Sequence, residues 1–201
     1  MEMMFEVASR ITNEISKKRI KANIWEGSRF EVLKDYTCDE IGEWGESLVY
    51  DVMNSDPEVT VTHGGNTILE DGHYDFYMTG PFGNLRVEQK TARLNSGPGG
   101  TFQHESLRLD GTCESFIFLD VCPNEMFLTV IASNSIKHGE RHSILKRTPH
   151  QRAESKKYKF DLSRKICESR GIPAGITMRI DINTTPTEVR NFIKERLSAV
   201  S

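Results

Sequence analysis

The feature that most constrains this chain is a strand–turn–strand unit with a carboxylate on one strand and a carboxylate and a lysine, two apart, on the next. Residues Tyr74–Met78 carry Asp75, and Leu85–Thr91 carry Glu88 and Lys90. Gly80-Pro81-Phe82-Gly83-Asn84 between them is turn chemistry, so the strands should form an antiparallel hairpin. In an extended strand residues i and i+2 point to one face, so Glu88 and Lys90 project together. The hairpin brings Asp75, thirteen residues before Glu88, beside them. Two hard oxygen ligands for a divalent cation then stand next to a lysine. A cross-strand salt bridge on a sheet surface would use the same residue types and contribute little. Tyr74, Phe76, Val87 and Gln89 flank the three residues and mark the strands as central. There an unpartnered carboxylate is expensive and calls for a metal or a proton.

Asp75 together with Glu88-Gln89-Lys90 resembles the signature of the PD-(D/E)xK nuclease superfamily, whose fold is shared by many type II restriction endonucleases, junction resolvases and repair nucleases. The resemblance covers about residues 40–132. Ile41 to Val49 is similar to the family's leading helix, which often carries a further acid, and Glu46 three residues before Val49 fits that pattern better than Glu43. His73-Tyr74 stands where the motif's name expects a proline. The resemblance implies an α/β protein with a restriction-endonuclease-like core, a central mixed β-sheet flanked by helices. It implies Asp75, Glu88 and Lys90 as catalytic residues. It also implies Mg²⁺, with Mn²⁺ as a substitute, on Asp75, Glu88, the backbone carbonyl of Gln89 and Glu46. Lys90 would orient or help deprotonate the attacking water, leaving a 5′-phosphate and a 3′-hydroxyl.

The net charge of −3 hides an asymmetry. Residues 38–75 hold ten Asp or Glu and no Lys or Arg, whereas residues 137–170 hold eleven Lys or Arg against four acids, plus three of the six histidines. An acidic half suits a metal and a basic half suits a phosphate track. Lys146, Arg147, Arg152, Lys156 and Lys157 are the candidate contacts to double-stranded DNA; the plainer alternative is a solvated surface helix. His138 and His142 have helical i, i+4 spacing but no third ligand and read as surface or DNA-facing residues.

With 201 residues, 37% of them hydrophobic, the chain is expected to form one domain. The catalytic core would occupy about 40–132, and the basic part from about 137 to 201 would serve DNA binding or dimerisation. Mean hydropathy is −0.48, and no apolar run is long enough to span a bilayer. The acidic start, Met1 to Glu6, does not read as a signal peptide. Cys38, Cys113, Cys122 and Cys167 are widely spaced, so free thiols in a cytoplasmic protein are expected.

Helices are expected at 4–21, at about 39–54 and after Thr185-Pro186-Thr187-Glu188, a capping box with proline at the first position. Lys17 to Lys21 would complement the dipole of the first. Further strands are expected at Val59–Thr62, Glu114–Val121, Met126–Ala132 and Ile176–Ile182. Asn95 to Thr101 is a Gly-rich loop without the GK[ST] of a nucleotide-binding loop. Phe102 to Leu109 reads as a short helix carrying Gln103 and His104, and the polar run 151–159 as a loop or helix start. With no helicase or ATPase module, the expected activity is that of a type II restriction endonuclease, a two-fold dimer on a palindrome. A structure-specific junction or repair nuclease is the second expectation. A nuclease fold retired into a DNA-binding subunit is the third, and the intact Asp75, Glu88 and Lys90 speak against it.

Overall fold

A computed structural model describes residues 9–11, 23–64, 74–94, 101–109, 111–135, 147–149, 157–163 and 176–200. Helix α1 (Cys38–Asn54) begins at a capping box: Thr37 Oγ1 accepts the Glu40 N–H, and the Glu40 carboxylate accepts the Thr37 N–H at 2.6 Å. Its buried residues Ile41, Gly45, Val49 and Met53 recur every four positions, the apolar stripe of a helix lying on a sheet. Helix α2 (Pro186–Ser198) starts at the expected capping box of Thr185 and Glu188 and buries Ile193 and Leu197. Of the expected helix at 4–21, residues 9–11 are helical and the rest lie outside the described residues.

The main sheet is mixed and six-stranded, in the order β1-β2-β3-β5-β6-β9. Strands β1 (Thr60–His63), β2 (Phe76–Gly80) and β3 (Gly83–Arg93) form an antiparallel meander. The β2–β3 turn is tight: Gly80 pairs with Gly83, whose φ of +87° needs a residue without a Cβ. Strand β5 (Ser115–Val121) lies parallel to β3, and β6 (Met126–Ala132) and β9 (Thr177–Ile180) follow antiparallel. Every residue of β5 is buried, as befits an interior strand covered on both faces. Helix α1 packs on β1 and β3, α2 packs on β6 and β9, and the two helices touch. The chain is thus α/β, with a mixed sheet flanked by helices.

A second sheet of three antiparallel strands has the order β4-β8-β7: β4 (Thr101–Arg108), β8 (Lys157–Ser163) and β7 (Arg147–Pro149). The helix expected at 102–109 is therefore the strand β4. A bulge between His104 and Leu107 lets Phe102, His104 and Leu107 all turn inward. That extra residue breaks the period of two and imitates helical spacing. Lys157 to Lys159, expected in a loop or helix start, likewise lie on a strand, β8. Arg147 lies on β7 and Lys157 on β8, whereas Lys146, Arg152 and Lys156 lie outside the described residues, as do His138, His142 and Cys167. Cys38 and Cys113 are free thiols. Among the described residues no helix is long and apolar enough to cross a membrane.

Candidate active site

Strand β2 stops at Phe76, paired with Val87, but β3 runs on to Arg93. Asp75, expected on this strand from the sequence, is instead the residue immediately before it. Its N–H donates to the Val87 carbonyl at 3.0 Å, and its own carbonyl accepts the Gly64 N–H at 2.8 Å. Its carboxylate Oδ2 accepts the Gln89 N–H at 2.7 Å, taking the place of the missing strand partner. Extending the register by one residue sets Asp75 alongside Glu88.

Glu88 and Lys90 form an ion pair at 2.5 Å, with side chains 12% and 26% exposed. In register beside them on β5 stand Phe116 and Phe118, both fully buried, their rings stacked at 5.7 Å. This apolar shelf withholds water from the ion pair. Glu46 approaches from α1. It can do so because Gly45 presses the helix onto β3: a Cβ there would stand 1.9 Å from Thr91 Oγ1 and 3.0 Å from Gln89 Nε2.

The charges act on one another. Burial pushes Glu88 furthest, from 4.5 to about 7; Lys90 opposes the rise, and Asp75 and Glu46 add to it. Burial also raises Asp75, against Lys90, the Gln89 N–H and His63. Glu46 is raised by burial and by Asp75, with Lys90 opposing. Burial alone would lower Lys90, but Glu88, Asp75 and Glu46 overcome it and hold the ammonium above its usual range. Three carboxylates therefore share one lysine, a surplus of negative charge that a hard divalent cation would neutralise. Among the described residues no three His, Cys, Asp or Glu side chains are grouped so that they could hold a metal ion as they stand. Here Glu88 is turned to Lys90, and Asp75 is held by Gln89. Asp75, Glu88, Glu46 and the Gln89 carbonyl are hard oxygen donors of the type Mg²⁺ takes.

A cleft of about 730 Å³ opens beside the cluster. Asp39, Glu43 and Glu46 line it from α1, residues 89–93 from β3, and Gln103 and His104 from β4. Its third wall was not legible in the sequence. His104 Nε2 bonds Asp120 Oδ1 at 2.8 Å with both side chains fully buried, and the His104 ring packs on Phe118 at 4.8 Å. This pair ties β4 to the main sheet next to Lys90. His63 was also missed: its ring stacks on Tyr50 at 4.7 Å, and it acts electrostatically on Asp75. A histidine ending a strand carries no signal of such a role, whereas a glycine inside a helix, as at Gly45, does signal a close approach. No protein family, curated protein or solved structure matches the chain.

Proposed function

We propose that this chain is a metal-dependent endonuclease that hydrolyses phosphodiester bonds in double-stranded DNA, of the type II restriction kind. The observation that carries the reading is the grouping of Glu46, Asp75, Glu88 and Lys90 beside an open cleft, with all three carboxylates acting on the one lysine. The order of elements supports a restriction-endonuclease-like core: a helix with an acid, an antiparallel meander with the acid just before its second strand and the E-x-K on its third, then a strand parallel to β3.

Asp75, Glu88, Glu46 and the Gln89 carbonyl are the groups that would hold Mg²⁺, with Mn²⁺ as a substitute. When bound, such a cation polarises the phosphoryl oxygen and makes water a better nucleophile at neutral pH. The remaining chemistry belongs to the chain. Lys90, held protonated, donates to the phosphate oxygens on which charge develops. The Phe116–Phe118 shelf keeps water from screening it. Asp75 is oriented by a backbone N–H and so is fixed before substrate arrives. The basic residues Lys146, Arg147, Arg152, Lys156 and Lys157 would follow the phosphate backbone, and a homodimer would cut both strands of a palindrome.

The test is digestion of a sequenced plasmid with Mg²⁺ and mapping of the ends. Discrete fragments with 5′-phosphates and one recurring end sequence are expected. Absence of Mg²⁺-dependent cleavage on any duplex would refute the reading. Cleavage confined to branched DNA would replace the restriction role by a structure-specific one.

A further inference from the structure

Gln89, between Glu88 and Lys90, has a side chain that the reaction above leaves unused. The residue is 2% exposed and lines the cleft between β3 and α1. Its Nε2 donates to Thr91 Oγ1 at 2.7 Å. Its Oε1 is buried with no hydrogen-bond partner among the described residues. A buried acceptor left without a donor destabilises the fold, and an apolar side chain of the same length would avoid that cost. Amides in such positions meet their partner when a ligand or a water is bound.

The course of the cleft says where that partner lies. Five consecutive β3 residues line it, although side chains alternate between faces, so the cleft follows the edge of the strand. The Arg86 carbonyl accepts the Glu114 N–H and the Arg86 N–H donates to the Glu114 carboxylate, so both backbone groups of Arg86 face the β5 side. By alternation, the backbone groups of Gln89 and Thr91 face the opposite edge, where β2 has ended. Gln89 thus brings a backbone carbonyl and a side-chain amide to one cleft, facing the Glu46 side of α1.

We propose that Gln89 Oε1 accepts a hydrogen bond from a water in this cleft and so holds the water presented to the phosphodiester. This rests on the nuclease reading. Gln89 is a neutral amide and takes no proton; its contribution is the direction of one O–H bond. Thr91 in turn fixes the amide plane.

Gln89→Met tests it, because methionine keeps the length and approximate volume and removes both amide atoms. Two quantities are read: the melting temperature in EDTA, and kcat and KM for Mg²⁺-dependent cleavage. The expected result is a melting temperature at or above that of the wild type, with kcat lower by about tenfold or more and KM unchanged. A variant that melts lower and cleaves at the wild-type kcat overturns the proposal, since Gln89 would then be a structural residue. A rise in KM alone also overturns it. If the wild type cleaves nothing, the nuclease reading itself has failed, and the metal-free melting comparison still decides whether Oε1 lacks a partner.

Discussion

The Asp75 carboxylate and the Gln89 backbone N–H, 2.7 Å apart, carry the β2–β3 pairing one step beyond the last backbone ladder rung at Phe76 and Val87. A side chain thus does the work of a strand, and Asp75 has two separable duties. Asp75→Asn keeps an oxygen for the Gln89 N–H and loses the charge; it should fold normally and fail to cleave. Asp75→Ala leaves the N–H unpaired as well and should lose about 1–3 kcal/mol in urea unfolding. Glu88→Ala and Lys90→Ala should also abolish cleavage. Wild-type rates in any of these variants would remove that residue from the site.

Glu88 predicts a pH dependence. Its folded pKa of about 7 lies above its ordinary 4.5, so between these values the folded state binds more protons than the unfolded one. Stability from this group is present at low pH and is lost as pH rises through that window. Without metal, the wild type should therefore lose up to about 3 kcal/mol relative to Glu88→Gln between pH 5 and pH 8. Mg²⁺ binding should strengthen over the upper part of the same window, because the carboxylate must ionise to bind. Parallel stability curves for the two proteins would contradict the shift.

Glu46 and Glu43 both line the cleft, and Asp75 and Lys90 act electrostatically on Glu46. Glu46→Gln should slow cleavage by about tenfold or more, a loss of roughly 1.4 kcal/mol of transition-state stabilisation. Glu43→Gln should leave the rate within about twofold of wild type. Equal small effects would place both acids on the solvated face.

Gly45 should reverse the usual rule for helices. In a helix interior Gly→Ala ordinarily stabilises by about 1 kcal/mol. Here the added methyl meets Thr91 Oγ1 at 1.9 Å, so α1 must lift from β3. Gly45→Ala should destabilise by about 1–3 kcal/mol, as overpacking does. It should also slow cleavage by withdrawing Glu46. An increase in melting temperature would show that α1 is not pressed onto β3.

The basic residues are tested by salt. Each true phosphate contact should steepen the fall of log affinity with log salt by about 0.9. The Lys156/Lys157 double alanine variant should flatten that slope and weaken all duplexes alike, since phosphates carry no sequence information. An unchanged slope, measured in Ca²⁺, would take both residues off the DNA surface.

What could be read from the sequence was local. The cap at Thr185, the turn at Pro81-Phe82, and the alternation around Glu88 and Lys90 depend on neighbours within a few residues. The main-sheet strands fell where expected, within two or three residues at their ends. Asp75 sat one residue outside its strand because β2 ends where a side chain replaces the ladder. Strand β4 was misread because its bulge disguises a period of two, and its partner β8 lies far along the chain. The His104–Asp120 bond joins residues on β4 and β5, so a wrong element for β4 hid it. Gln89 Oε1 was invisible for a different reason, since a missing partner leaves no trace in sequence.

The position of β4 also bears on the order in which the protein is made. It lies in the crossover between the parallel strands β3 and β5, and 48 residues separate its end at Arg108 from its partner's start at Lys157. At roughly 5–20 residues per second, β4 leaves the ribosome a few seconds before β8. During that interval Phe102 and Leu107 can settle on the main sheet, but the hydrogen-bonding edge destined for β8 is bare. A bare edge next to another nascent copy is a site for strand exchange. The chain's vulnerable moment therefore comes after the Asp75–Lys90 cluster has been synthesised and before β8 has.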